Sequence, residues 1–169
     1  MVKKIIGKIF GFNKEIRQLH SHIKELGFDT TFNMLTINAF LEHCRHLPRN
    51  SYTIAFLDFD RMHELNTRFG YEEVNKRIRK TFEIPFRASD IRARWYSGDE
   101  IVLLLDSDIR GAKNVMQDLE ISANIEDLSF TWAMDTWQKD VKELPDFVNK
   151  LAESVSAKKK HKQPQKVSA

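Results

Sequence analysis

The sequence predicts an α+β fold, a central and mostly antiparallel sheet flanked by helices in a ferredoxin-like or palm arrangement. Three observations carry that expectation. YTIAFLDFD (Tyr52–Asp60) is dense enough in apolar residues to be a strand lying inside a sheet. RWYSGDEIVLLL (Arg94–Leu105) reads as the arms and turn of a hairpin. Between and around them run stretches with apolar residues at helical spacing, giving the order helix, strand, helix, hairpin, helix, strand, helix.

The elements follow in turn. Ile9, Phe12, Ile16, Leu19, Ile23 and Leu26 are spaced 3, 4, 3, 4, 3, the seam of a heptad helix that Gly27 is placed to end. This segment reads either as a helix laid on its own domain or as a dimerising stalk. A second helix is expected over Thr31–Leu47, with Met34, Ile37, Leu41 and Cys44 on one face, before Pro48-Arg49-Asn50 breaks it. After the Tyr52–Asp60 strand, one helix is expected through Met62, Leu65, Phe69, Val74, Ile78 and Phe82, ending by Pro85. Strands over residues 91–96 and 101–105 enclose the Ser-Gly-Asp-Glu turn. A helix over Ile109–Ile121, a strand over Phe130–Trp137 and a final helix from Leu144-Pro145, with proline in its first turn, complete the chain. That last helix carries Phe147, Val148, Leu151 and Val155 and runs into a basic end.

Composition narrows the class. A chain of 169 residues, 41% hydrophobic and 30% charged, suits one compact domain with a sizeable core. The net charge of +3 is small and gathered towards the ends, so the basic middle of a dedicated nucleic-acid binder is missing. The single cysteine, Cys44, allows no intrachain disulfide and gives no zinc-site spacing. MVKKIIGKIFGF has some look of a signal peptide, but Gly7, Lys8 and Gly11 interrupt its apolar run and no small-residue cleavage site follows. No stretch approaches the roughly 20 apolar residues of a membrane span. A cytoplasmic chain is expected, organised as an N-terminal amphipathic helix (residues 1–28), a main domain (29–163) and a frayed tail (164–169).

The chemistry gathers at carboxylates. Asp58 ends the first long strand, and Asp99 and Glu100 lie in the hairpin turn. If those strands are neighbours, the three acids meet at one edge, where crowded negative charge calls for a counter-ion with an oxygen preference, such as Mg²⁺. Carboxylates holding divalent ions against a triphosphate are the layout of two-metal nucleotidyl transfer. Taken singly, each motif also reads as an ordinary strand end or surface turn; it is their combination that points to chemistry.

With those residues in view, the chain resembles a GGDEF domain, the catalytic domain of diguanylate cyclases, over roughly Asp29–Gln163. SGDEI (Ser97–Ile101) stands in place of the Gly-Gly-Asp-Glu-Phe signature. LDFDRMHELNTRFGY resembles the family's Asp-Ile-Asp-x-Phe-Lys-x-Ile-Asn-Asp-x-Tyr-Gly-His stretch, keeping Asp58, Asp60, Asn66 and Gly70. FDTTFNMLTINAF matches the family's first motif only at Asp29 and Phe40. AKKKHK resembles the closing Ala-Lys-x-x-Gly-Arg, with Ala157, Lys158 and Lys162 at the same spacing.

The resemblance implies a metal-dependent enzyme that condenses two GTP into a cyclic dinucleotide such as cyclic di-GMP, with two Mg²⁺ or Mn²⁺ ions per site. Asp58, Asp99 and the Phe59 main-chain carbonyl would be metal ligands. Glu100 would sit beside the 3′-hydroxyl, and Ser97 and Gly98 would let the main chain approach the α-phosphate. The start of the helix after Asp60 would offer free N–H groups to the outer phosphates, with Lys158 and Lys162 as a cationic clamp. Asn66 would read the base. Because each domain holds one nucleotide, a homodimer is implied.

The departures have consequences of their own. His63 stands where the family has a phosphate-facing Lys and is a weaker cation at neutral pH. Asn75 replaces a base-reading Asp; its amide offers guanine one acceptor only and can pair with an adenine edge, so ATP is expected to compete. Arg87-Ala-Ser-Asp90 has the form of the family's inhibitory product-binding motif, but lies one residue further from the signature. Two alternatives stay open: a degenerate domain that binds GTP or a cyclic dinucleotide without turnover, and another palm-type polymerase of signalling oligonucleotides.

Overall fold

The computed structural model describes residues 27–96 and 98–162, so the heptad-spaced residues Ile9–Leu26, Ser97 and the tail 164–169 lie outside the described residues. The strands are β1 (Phe28–Asp29), β2 (Met34–Leu35), β3 (Ser51–Phe59), β4 (Ile91–Arg94), β5 (Glu100–Leu105) and β6 (Phe130–Gln138). The helices are α1 (Ile37–Arg45), α2 (Met62–Phe69), α3 (Tyr71–Thr81), α4 (Ile109–Ile125) and α5 (Leu144–Lys162). The strands form one sheet in the order β1-β2-β4-β5-β3-β6, antiparallel throughout except where β2 meets β4. The expected α+β architecture is present.

Alternation along the strands builds two cores, because successive side chains point to opposite faces. Ala55, Leu57 and Phe59 of β3, with Ile101, Leu103 and Leu105 of β5, pack against Leu65 of α2, Val74 and Ile78 of α3, and Met116 and Leu119 of α4. Ile54 and Phe56, with Val102 and Leu104, face the other way onto Phe40 and Cys44 of α1 and Val148, Leu151 and Val155 of α5. β3 is therefore apolar on both sides, as a strand covered on both faces must be. Cys44 is fully buried and its thiol is pushed up to about 12 by that burial, which makes it a core residue and no nucleophile.

Two expectations are corrected. The helix expected from Thr31 begins only at Ile37, where the Thr36 hydroxyl caps it by accepting from the Ala39 N–H at 3.4 Å. Before it, Asp29 Oδ1 accepts from the Phe32 N–H at 2.9 Å and Asn33 takes a left-handed φ of 61°, a turn that feeds β2. Met34, which had completed the apolar stripe of a helix, is a strand residue buried on the α2–α4 side. The helix expected over residues 62–82 is two, broken at Gly70 with φ 81° and ψ 155°. The five-residue step from Phe69 to Val74 in the apolar spacing is the trace of that break. Elsewhere the differences are of length: α4 runs on to Ile125 and β5 starts at Glu100. Among the described residues, no helix is long and apolar enough to cross a membrane.

Candidate active site

The acidic end of the sheet is set by register. Asp58 lies opposite Glu100 on β5 and Thr131 on β6, so all three side chains project from the face that carries α1 and α5. The hairpin is closed by the Trp95 N–H donating to the Glu100 carbonyl at 2.8 Å, and Gly98 turns the chain with φ 85°, a conformation glycine adopts without strain. This brings the Asp99 carboxyl beside that of Asp58. Arg94 braces the same turn, donating through Nε to the Gly98 carbonyl at 2.8 Å.

A lysine fills the space in front of Asp58, and it is Lys159. Its Nζ lies 2.7 Å from Asp58 Oδ2, donates to the Phe59 carbonyl at 2.6 Å and stands 3.6 Å from Asp60 Oδ1. Lys162, one helical turn further on, pairs with Asp60 Oδ2 at 3.5 Å and donates to the Thr131 hydroxyl at 2.9 Å. That hydroxyl in turn donates to Asp60 Oδ1 at 2.9 Å. Asp60 is thus tied to two lysines and a threonine, while Asp58 is shared between Lys159 and Asp99.

Charge crowding shows in the acids. Asp99 is pushed up to about 7, first by burial and then by the Asp58 carboxyl beside it, with Lys159 pulling the other way. Glu100 is raised for the same reasons, burial foremost and then the Asp58 charge, against Lys159. Among the described residues, no three His, Cys, Asp or Glu side chains converge in metal-holding geometry. The donors on offer are the Asp58–Asp99 carboxylate pair and the Phe59 carbonyl, hard oxygens that suit Mg²⁺ or Mn²⁺. The Lys159 ammonium bridges Asp58 and that carbonyl.

No family model and no curated protein matches the chain by sequence. Solved structures do match. The diguanylate cyclase SiaD of Pseudomonas aeruginosa, in complex with its activator SiaC, superimposes with a TM-score of 0.70 at 18% identity, covering 95% of this chain and 69% of that one. The coiled coil and GGDEF domain of DgcB from Caulobacter crescentus, in complex with c-di-GMP, gives 0.71 at 11% identity over 94% of this chain and 96% of that one. The fold is that of a GGDEF domain. The FimX GGDEF domain of Pseudomonas aeruginosa is similar as well, at a TM-score of 0.57 and 12% identity, over 78% of this chain and 94% of that one.

Within the GGDEF fold the expected site residues divide into groups. Asp58, the Phe59 carbonyl, Asp99, Glu100 and Gly98 lie together at the end of the β3–β5 pair. Asn66 sits on α2 with its Oδ1 buried and unpartnered, and Asn75 is half-buried on α3, which follows directly beyond Gly70. His63 is exposed in the first turn of α2, whose leading residue Arg61 provides no side-chain cap to the helix N–H groups. Lys158 is directed away from the acids and donates to the Trp132 carbonyl at 2.8 Å. Arg87 and Asp90 are occupied internally. The Arg87 guanidinium donates to the Asp106 carbonyl, and Asp90 accepts from the Asp106 and Arg87 main-chain N–H groups at 2.8 and 2.9 Å. Sequence reasoning assigned nothing to Lys159, although the spacing Val148, Leu151, Val155, Lys159, Lys162 continues the buried stripe of α5 and sets Lys158 off it.

Proposed function

We propose that the chain is a metal-dependent nucleotidyl cyclase that joins two GTP into a cyclic dinucleotide such as cyclic di-GMP, with ATP as a competing substrate. The supporting observation is the meeting of Asp58, the Phe59 carbonyl, Asp99 and Glu100 at one sheet end beside the Lys159 ammonium group. Asp58, Asp99 and the carbonyl would hold Mg²⁺ or Mn²⁺, which supplies charge neutralisation at the triphosphate and acidifies the attacking 3′-hydroxyl. Glu100, raised from its ordinary value by burial and the Asp58 charge, is suited to take the proton from that hydroxyl. The uncapped start of α2 offers main-chain N–H groups to the outer phosphates, and Lys162 lies close enough to Asp60 to add positive charge there. The free Asn66 Oδ1 is available to accept from a purine base. Each chain would present one nucleotide, so two chains meet face to face, and the heptad-spaced N-terminal segment would raise the frequency of that encounter.

A second reading, a nucleotide or cyclic-dinucleotide receptor without turnover, is favoured by Lys159 filling the place in front of Asp58. Product analysis separates the two. Purified protein is incubated with Mg²⁺ or Mn²⁺ and GTP, ATP or both, beside an Asp99→Ala control, and the products are read by mass spectrometry. A cyclic dinucleotide absent from the control supports the cyclase, and its mass gives the base. Bound nucleotide without turnover supports the receptor.

A further inference from the structure

Lys159 is anchored where a cation is expected. Its Nζ lies 2.7 Å from Asp58 Oδ2, donates to the Phe59 carbonyl at 2.6 Å and keeps ion-pair distance, 3.6 Å, from Asp60 Oδ1. Its stem rises from the buried stripe of α5 one turn beyond Val155, which is 1% exposed, and so its approach to Asp58 is fixed by core packing.

We infer that Lys159 is a built-in occupant of this position that competes with a divalent ion for Asp58 and the Phe59 carbonyl. The inference rests on the reading of those two groups as a cation-holding pair. An ion such as Mg²⁺ demands its oxygens at about 2.0–2.1 Å in near-octahedral order. With its Nζ 2.7 Å from Asp58 Oδ2 and 2.6 Å from the Phe59 carbonyl, Lys159 occupies the space that an ion shared by those two oxygens would take, and its charge repels such an ion. A divalent ion therefore enters this position only if Lys159 swings out.

The test is Mn²⁺ binding to the full chain without nucleotide, followed by electron paramagnetic resonance. Lys159→Met removes the charge and keeps much of the stem, and Lys159→Gln is the second variant should the first fail to fold, as judged by circular dichroism. Either variant is expected to bind Mn²⁺ about tenfold or more tightly than the wild type, because a resident positive charge has gone from the site. Adding Asp58→Asn should abolish that gain, and Lys159→Arg should leave binding as weak as in the wild type. Unchanged affinity in the charge-removing variants, or a gain that survives Asp58→Asn, overturns the inference. Tighter Mn²⁺ binding with no dinucleotide product leaves the lysine's role standing and removes the cyclase reading. Turnover by the wild type with unmoved Mn²⁺ affinity does the reverse.

Discussion

Asp29 and Arg94 are joined by an ion pair across the sheet, with Arg94 Nη1 2.9 Å from Asp29 Oδ2 although 65 residues separate them. The same guanidinium stacks over Phe32 at 4.5 Å and holds the Gly98 carbonyl, so the first strand of the domain positions the hairpin turn. Both side chains are about one-fifth exposed. Asp29→Asn should therefore leave a mostly buried guanidinium without its charged partner, at a cost of roughly 1–3 kcal/mol. Thermal unfolding would show the loss, and GTP affinity should fall with it because the turn loosens. Unchanged GTP affinity would separate the pair from the site.

The raised Asp99 carboxyl links stability to pH. An unfolded aspartate titrates near 3.9, whereas Asp99 in the folded chain titrates at about 7. The folded state holds a proton that the unfolded state releases, so this contribution is full below about pH 4 and is lost as pH rises through 7. In chelator-containing buffer, Asp99→Asn should melt higher than the wild type at pH 8, by about 2–4 °C, the shift that roughly 1 kcal/mol produces in a chain of this size. At about pH 3.5, below the unfolded value, the two should melt together. Equal melting at both pH values would contradict the crowding of Asp58 and Asp99.

Base choice is expected to turn on Asn75. Restoring a carboxylate by Asn75→Asp gives guanine a partner for two N–H groups and takes from adenine a bidentate one. A good bidentate contact discriminates by roughly 1–3 kcal/mol, so competitive GTP and ATP binding should shift towards GTP by about tenfold or more. No change in the GTP:ATP ratio would place the base elsewhere.

Gly70 separates α2 from α3 at a φ and ψ that side chains avoid. An added Cβ would meet no atom within 4 Å, so Gly70→Ala tests strain without a clash. Backbone strain of this kind costs of order 1–3 kcal/mol. Urea unfolding should show that loss as a lowered midpoint with an unchanged slope. A neutral result would mean that the two helices merge across position 70.

Legibility differed between the acids and the lysines for a physical reason. Asp58, Asp99 and Glu100 belong to a strand and a tight turn, whose side-chain directions follow from local alternation, and the pairing of β3 with β5 brings them to one sheet end. The lysines depend on how α5 is rotated about its own axis. Motif spacing picks Lys158 and Lys162, but the packing of Val148, Leu151 and Val155 settles the rotation and turns Lys159 to the acids. β1 and β2 were not legible because two residues each are too short for any period. Gly70 was visible only as an irregular step within one apolar stripe.

β3 is bonded along both edges, to β5 through Asp58 and to β6 through its whole length. A carboxylate mounted there cannot travel: to displace Asp58, two ladders would have to shear at once. Motion at this end of the molecule must come from the parts that merely lean on it, the hairpin tip at Gly98 and the last turns of α5. Amide hydrogen exchange should accordingly be slowest around Phe56–Asp58 and fastest at the tip and the helix end, a fixed anvil under a movable hammer.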